Sequence, residues 1–397
     1  MSFQLSTEHE QFRRTVRDFA EKEVAPHAAQ WDRDHYFPVE LVQKMGDLGL
    51  FGLTSPEEYG GAGLTGEDGG FTSLCLAIEE LGRIDQSIGI TLEAAVGLGI
   101  NPILTYGTEE QKQQWLPDLV AGRTLAGFGL TEPGAGSDAG ATKTRAELAN
   151  GEWVLNGAKQ FITNSGSSLT SVVAVTARTG TVTDSKGNEK AEISALLVPA
   201  GTPGFTAEKA YDKLGWHASD THPLSFDDVH VPAANLLGER GRGYAQFLAT
   251  LDDGRVAIAA LAVGLLQGCL DECVRYAGER TTFGVPIGRK QGVAFQIADL
   301  QVMLEASRLL TYKAAAMKDA GNTGPAFKQA AAIAKLYATE SAVTGTRIAT
   351  QVFGGYGFME EYPVARFYRD AKILEIGEGT SEVQRMLIAR GLGLPVE

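Results

Sequence analysis

Apolar residues recur every three to four positions through the first third of the chain. Phe12, Val16, Phe19, Ala20 and Val24 share one face of a helix that Ser6-Thr7-Glu8-His9-Glu10 caps and opens and that gives way before Pro26. Leu41, Met45, Leu48 and Leu50 predict a second helix after Pro38, broken off by the Ser-Pro-Glu-Glu-Tyr-Gly-Gly run at residues 55–61. Further helices are predicted over 71–81, 84–104 and 109–120. Near Ala121-Gly122-Arg123 the pattern changes to short, turn-bounded apolar runs at 128–130, 153–155, 161–163, 172–175, 193–198, 205–208 and 224–229, which read as strands. Asn156-Gly157 predicts a turn between two of them, and Asp184-Ser185-Lys186-Gly187-Asn188 a hairpin tip. Helical periodicity returns in long blocks over 244–279, 292–318 and 326–352. The pattern predicts a multidomain α+β fold: an N-terminal helical domain at 1–125, a middle β-sheet domain at 126–237 and a C-terminal helix bundle at 238–397.

Composition narrows the function classes. A chain of 397 residues is long enough for two or three domains. With 35 Lys+Arg against 49 Asp+Glu the net charge is −14, which argues against nucleic acid as a partner while leaving room for a small anion held by a few Arg residues and backbone N–H groups. The longest apolar stretch, 256–266, falls short of the roughly 18 residues a membrane span needs and reads as core helix. The first residues show no basic-then-apolar leader, so the expectation is a cytoplasmic protein without integral membrane association. Cys75, Cys269 and Cys273 form no disulfide scaffold. The latter two share a helix face without the further His or Cys of a zinc site, so no metal is expected.

Four segments carry candidate chemistry. In Leu130-Thr131-Glu132-Pro133-Gly134-Ala135-Gly136-Ser137-Asp138 a proline fixes a turn, glycines admit close approach, and Thr131 and Ser137 offer hydroxyls. The segment is either a cofactor cradle or an ordinary Gly-Pro turn, and it lacks the glycine spacing of a dinucleotide fingerprint and the lysine of a P-loop. Phe161 and Thr163 place an aromatic face beside a hydroxyl, although an alternating aromatic is more often a β-core residue. Arg280-Thr281-Thr282-Phe283-Gly284 sets a cation at a helix exit, suited either to a phosphate or to the helix end itself. Glu378 stands between Gly377 and Gly379, either as a base held at a tight turn or as a solvated acidic turn, and Thr380 or Ser381 caps the helix that follows.

Together, LTEPGAGSD, WVLNGAKQFITN, GERTTFG, QVFGGYGF and IGEGTSEVQR, in that order over nearly the whole chain, resemble the acyl-CoA dehydrogenase family. The resemblance implies a C-terminal four-helix bundle, non-covalently bound FAD and oxidation of an acyl-CoA to the trans-2-enoyl-CoA. Glu378 would remove the α-proton, the β-hydrogen would leave as hydride toward flavin N5, and electrons would pass to an electron-transfer flavoprotein. The Glu378 backbone N–H and a ribityl hydroxyl would support the thioester oxygen. Phe128, Leu130, Thr131, Gly136, Ser137, Phe161 and Thr163 would line the flavin, with Phe161 where many members carry Trp. Arg280, Thr282, Phe283, Gln351, Gly354 and Gly355 match segments that bind FAD across a subunit interface, which implies a homotetramer built as a dimer of dimers. Thr380 and Glu382 match positions near the flavin. Ser137, Asp252, Arg255 and Glu378 would face the substrate, with Arg255 toward CoA. Gly254 falls where some subfamilies carry their base, which leaves that role to Glu378. Leu92, Ala95, Val96 and Gly99 are candidates for setting acyl depth in a short-, medium- or branched-chain enzyme. The alternatives are an acyl-CoA oxidase that hands electrons to oxygen and an inactive acyl-CoA-binding scaffold.

Overall fold

The computed structural model describes residues 5–64, 66–183 and 187–396. Helix α1 (Thr7–Phe19) starts where Ser6 accepts the His9 N–H, and its buried stripe of Val16, Ala20 and Val24 runs on through a π-helical turn. Helices α2 (Ala28–Asp34), α3 (Val39–Asp47) and the deeply buried α4 (Gly70–Ile84) follow. The single helix predicted over 84–104 is three pieces: α5 (Gln86–Glu93), a π-helical stretch Ala94–Ile100, and α6 (Asn101–Tyr106). Asp85 makes the first break. It adopts an extended conformation and caps α5 by accepting the Ser87 N–H at 2.8 Å. The widened turn lies on the sheet, where a Cβ on Gly99 would come within 3.0 Å of the Ala126 carbonyl oxygen. Helix α7 (Glu109–Val120) closes this region with a capping box from Thr108 and Gln111.

The middle region holds strands β1 (Leu125–Gly129), β2 (Arg145–Ala149), β3 (Glu152–Thr163), β4 (Thr170–Thr183), β5 (Glu189–Pro199), β6 (Phe205–Ala207), β7 (Thr221–Pro232) and β8 (Leu236–Leu237). They form a mixed sheet in the order β6-β7-β3-β2-β4-β5-β8, with β1 pairing parallel to β4. Residues 184–186 of the predicted hairpin tip lie outside the described residues. The predicted turn at Asn156-Gly157 is a correction, because β3 runs straight through it. The pairing with β7 slips between Leu155 and Gly157, and Gly157, at φ +151°, lies so close to Thr144 that a Cβ would meet its side-chain oxygen at 2.5 Å. The chain reverses instead at Asn150-Gly151, where both residues have positive φ and connect β2 to β3 in the two-residue manner that suits twisted strands.

Helix α8 (Gly243–Glu279) leads through the small hairpin β9 (Thr281–Thr282) and β10 (Val285–Pro286) to α9 (Gln291–Asp319), α10 (Pro325–Phe353), α11 (Pro363–Ala371) and α12 (Ser381–Gly391). Helices α8, α9 and α10 pack on one another, and α12 lies along α10. One core runs through both helical regions and takes in Leu125, Ala174 and Leu197 from the sheet. Trp153, Leu155, Val173, Val175 and Phe226 form a second core within the strands. The stretches Gln86–Tyr106 and Gly243–Glu279 are long and apolar enough to cross a membrane by length and composition, yet 72% and 83% of their apolar windows are buried inside the fold. All three cysteines are buried and free.

Polar ties join the regions. The Asp319 carboxylate, from the end of α9, accepts the Phe71 and Thr72 N–H groups and so caps α4. Arg369 pairs with Asp32 and Glu360, while Asp370 accepts the Trp216 N–H at 2.6 Å, so these neighbouring charges serve separate contacts. Helices α4 and α8 approach backbone to backbone: a Cβ on Gly264 would stand 2.2 Å from the Glu79 carbonyl oxygen, and one on Gly268 2.4 Å from that of Arg83. Gly264→Ala is therefore expected to force the two helices apart and cost about 1–3 kcal/mol. A thermal unfolding midpoint equal to that of the parent protein would refute this account of the crossing.

Candidate active site

The turn that carries Glu378 is held from several sides. The Gly377 N–H bonds the Ile373 carbonyl at 2.8 Å, the Gly379 carbonyl accepts Lys335 Nζ at 2.8 Å and Gln384 Nε2 at 2.9 Å, and Thr380 Oγ1 accepts the Val383 N–H to cap α12. Glu378 has φ +53°, a left-handed conformation that costs a non-glycine residue about 1–2 kcal/mol and persists because these contacts over-determine it. The residue is half-buried as a whole, but its carboxyl Oε2 is sealed from solvent and meets no donor among the described residues. The carboxyl lies over α8 where Gly254 lacks a side chain: a Cβ there would fall 2.0 Å from Oε2.

Burial raises the Glu378 carboxyl above its ordinary range, a shift that the neighbouring Glu93, Lys335 and Arg255 partly offset. Lys335 is fully buried and its ammonium is pushed down to about 8 by desolvation, against the pull of Glu378. Arg255 is buried and pairs with Asp252, which Lys328 also reaches at 3.2 Å, while Asp253 pairs with Lys318 at 2.7 Å. The segment that resemblance placed toward CoA thus sets Arg255 within electrostatic reach of the Glu378 carboxyl.

The turn after β1 is built on a buried ion pair that sequence reasoning missed. Lys159 Nζ, with no exposed surface, bonds Glu132 Oε1 at 2.7 Å, Thr176 Oγ1 at 3.0 Å and the Leu130 carbonyl at 3.2 Å. Glu132 in turn accepts the Lys143 and Thr144 N–H groups at 2.7 and 3.1 Å. Burial would raise the Glu132 carboxyl, but the Lys159 charge outweighs it and holds the group below its usual range; desolvation takes Lys159 down to about 8. The signal available in the sequence was a lone Lys inside an alternating strand and a Glu inside a Gly-Pro turn.

This pair clamps a turn that leaves Gly136 and Ser137 exposed, with open space around the Gly136 Cα, while Phe128 is buried against the Phe247 ring and Leu130 lies buried beside it in the chain. The Gln160 N–H bonds the Thr131 carbonyl at 2.8 Å, so partly buried Thr131 lies next to β3 one residue from Phe161. Phe161 is 61% exposed at φ +62°, where β3 slips register, and Thr163 follows two positions on. Asn164 Nδ2 then bonds the Thr91 carbonyl at 3.2 Å, anchoring this end of the strand to the helix that carries Glu93. Leu92, Ala95, Val96 and Gly99 lie buried around Glu93 in the same stretch.

A separate group forms at the end of the bundle. Tyr276 stacks on Phe353 at 4.0 Å and Arg280 sits over Tyr356, which gathers Arg280, Thr282 and Phe283 with Gln351, Gly354 and Gly355. Phe283 is 95% exposed. Among the described residues, no hydrogen bond or ring contact joins this group to Thr131, Phe161 or Thr163 of the same chain. Glu382 is exposed in the first turn of α12. A cleft of about 270 Å³ lined by Asp32, Arg83, Glu360 and Arg366 lies on other elements, and the described residues hold no cluster of metal-ligating side chains.

An exposed aromatic ring with two threonines near it in the fold, on a strand tied to the helix of a sealed carboxyl, suits a planar redox cofactor beside a proton-abstracting group. Such a combination is what a flavin-dependent oxidoreductase requires. Residues 6–123, 127–229 and 241–393 match the models for the acyl-CoA dehydrogenase N-terminal, middle and C-terminal domains. The chain is 48% identical over 392 residues to the probable acyl-CoA dehydrogenase YngJ of Bacillus subtilis, covering 99% of this chain and 100% of that one. Butyryl-CoA dehydrogenase from Megasphaera elsdenii superposes with a TM-score of 0.92 at 44% identity, covering 99% and 100% of the two chains. A chain from a structure described as the electron transferring flavoprotein of Acidaminococcus fermentans superposes at 0.91, with 41% identity over 99% of each. The chain belongs to the acyl-CoA dehydrogenase family. Its activity is FAD-dependent α,β-dehydrogenation of an acyl-CoA.

Replacing Lys159 with Met would leave Glu132 buried without its counter-charge. Lys159→Met is expected to lose about 3–5 kcal/mol of stability and to purify with reduced FAD content. Unfolding and flavin absorbance both matching the parent protein would remove the ion pair from this account.

Proposed function

We propose that Glu378 is the base that takes the substrate α-proton, on the strength of its carboxyl being sealed over Gly254 and raised by burial. Its carboxylate receives the proton while its backbone N–H, which finds no acceptor among the described residues, is free to donate to the thioester oxygen. Lys335 keeps the turn in place through the Gly379 carbonyl, and the nearby charges of Lys335 and Arg255 favour the ionised base. Bound FAD supplies the acceptor for the β-hydrogen, which leaves as hydride. Thr131, Thr163 and Phe161 hold the flavin ring, with Phe128, Leu130, Gly136 and Ser137 shaping the wall behind it, Ser137 with Asp252 and Arg255 on the substrate side, and Thr380 and Glu382 at the C-terminal edge.

We further propose the domain division 1–125, 126–237 and 238–397 and a homotetramer, in which Arg280, Thr282, Phe283, Gln351, Gly354 and Gly355 complete a neighbour's FAD site. The exposure of Phe283, and the lack among the described residues of a hydrogen bond or ring contact from this group to the chain's own Thr131 and Thr163, support that assembly. Likeness to the butyryl-CoA enzyme favours a short acyl chain, and likeness to the Acidaminococcus chain favours an electron-transfer flavoprotein as acceptor. A cytoplasmic setting suits the three free thiols.

Anaerobic mixing of the holoenzyme with short, medium and branched acyl-CoAs tests the reading. Flavin bleaching should be fastest with short chains, and Glu378→Gln should retain FAD but reduce it more slowly by about 1,000-fold or more, as expected when the base is removed. Wild-type reduction rates in that variant would refute the assignment of the base, and turnover yielding stoichiometric peroxide would identify oxygen as the acceptor.

A further inference from the structure

Glu93 is the last residue of α5, in the largely apolar run Ile90-Thr91-Leu92-Glu93-Ala94-Ala95-Val96. It has no exposed surface, and neither of its carboxyl oxygens finds a donor among the described residues. The Glu378 carboxyl, whose Oε2 also lacks a donor, is the charged group that acts on it, and the buried Cys75 thiol of α4 lies within its electrostatic reach. A Cβ on Gly97 would come within 3.0 Å of Glu93 Oε1, so a glycine one turn onward leaves space for this carboxyl, as Gly254 does for Glu378.

Two ionised carboxylates cannot satisfy each other. Each is an acceptor only, and like charges in a closed, low-dielectric space repel strongly. One proton between them resolves both problems, because a protonated carboxyl gains a donor and the other then accepts a short, charge-assisted bond. We propose that Glu93 carries this proton and donates it in a hydrogen bond to the Glu378 carboxylate, which makes Glu93 a positioning residue that fixes the base in its charged form. The inference rests on Glu378 being the base.

The surrounding charges favour this placement of the proton. Lys335 from α10 and Arg255 from α8 act on Glu378 and not detectably on Glu93, Arg255 is itself paired with Asp252, and Glu375 and Glu340 act on Lys335. Burial and then the Glu378 charge drive the Glu93 acid well above its ordinary range, whereas the Glu93 hydrogen bond and the two cations hold Glu378 lower. A single proton shared by the pair therefore rests on Glu93. After α-proton removal both carboxyls are neutral, which is tolerable in a site closed to water.

Three holoenzyme variants separate the possibilities. Glu93→Leu removes the donor, so the acid limb of the flavin-reduction rate against pH should move up by about one unit, a tenfold loss of rate below it. Glu93→Gln can still donate through its amide and should keep the limb near its wild-type position. Infrared difference spectroscopy at neutral pH gives a readout independent of turnover: subtracting Glu93→Gln from wild type should reveal a protonated-carboxyl C=O band, while the bands of other buried acids such as Asp85 and Asp370 cancel. The same band should survive in Glu378→Gln. A Glu93→Leu profile superimposed on wild type, or no band in the difference spectrum, would overturn the proposal. Unimpaired reduction in Glu378→Gln would instead overturn the assignment of the base. Should Glu93→Leu fail to hold FAD, the infrared comparison decides alone.

Discussion

The site depends on a missing side chain. Gly254 lies in the middle of the long helix α8, and any β-carbon there would overlap the Glu378 carboxyl. A glycine inside a helix costs about 1 kcal/mol relative to alanine, and here the cost is met by the packing of a helix buried along most of its length. The same device recurs along α8: Gly264 and Gly268 let it approach α4 at the carbonyl oxygens of Glu79 and Arg83. One helix thereby fixes both the depth of the N-terminal region against the bundle and the room available to the carboxyl.

Around that void, turns and helix ends are held by charged side chains delivered from neighbouring elements. Lys159 on β3 clamps the turn after β1 through Glu132, Lys335 on α10 holds the turn of Glu378 through the Gly379 carbonyl, and Asp319 from α9 caps α4. Lys159 and Lys335 have no exposed surface and each meets a specific partner, so losing that partner is costly even where the contact itself adds little net stability. Loops held in this way keep backbone conformations, such as the positive φ of Glu378 and Phe161, that would otherwise relax.

Much of the architecture was legible in the chain because periodicity is local. The stripe Val16, Ala20 and Val24, the continuous apolar runs of β4 and β5 and the long blocks of the bundle depend only on which faces of an element meet the core. Where the reading failed, a tertiary partner intervened. Asn156-Gly157 has the composition of a hairpin turn, yet β2 and β7 flank β3 on both sides of it and keep the chain extended as a bulge. Asn150-Gly151, with free space beyond it, makes the turn. The block at 84–104 kept its helical period but was cut at Asp85 by a cap and loosened at Ala94–Ile100 where it meets β1.

The sequence alone determined the order of helical, β and helical regions, the family resemblance and the prominence of Glu378 between two glycines. Those properties reside in neighbouring residues and their spacing. Only the tertiary structure decided that Glu93, 285 positions before Glu378, faces it, that Lys159 and Glu132 are one buried pair, and that Gly254 is a space rather than a break in a helix. Such relations join elements far apart in the chain, and burial changes what a side chain does: an acid in an apolar run is a packing fault when read in line, and a hydrogen-bond donor once it faces another carboxylate out of water.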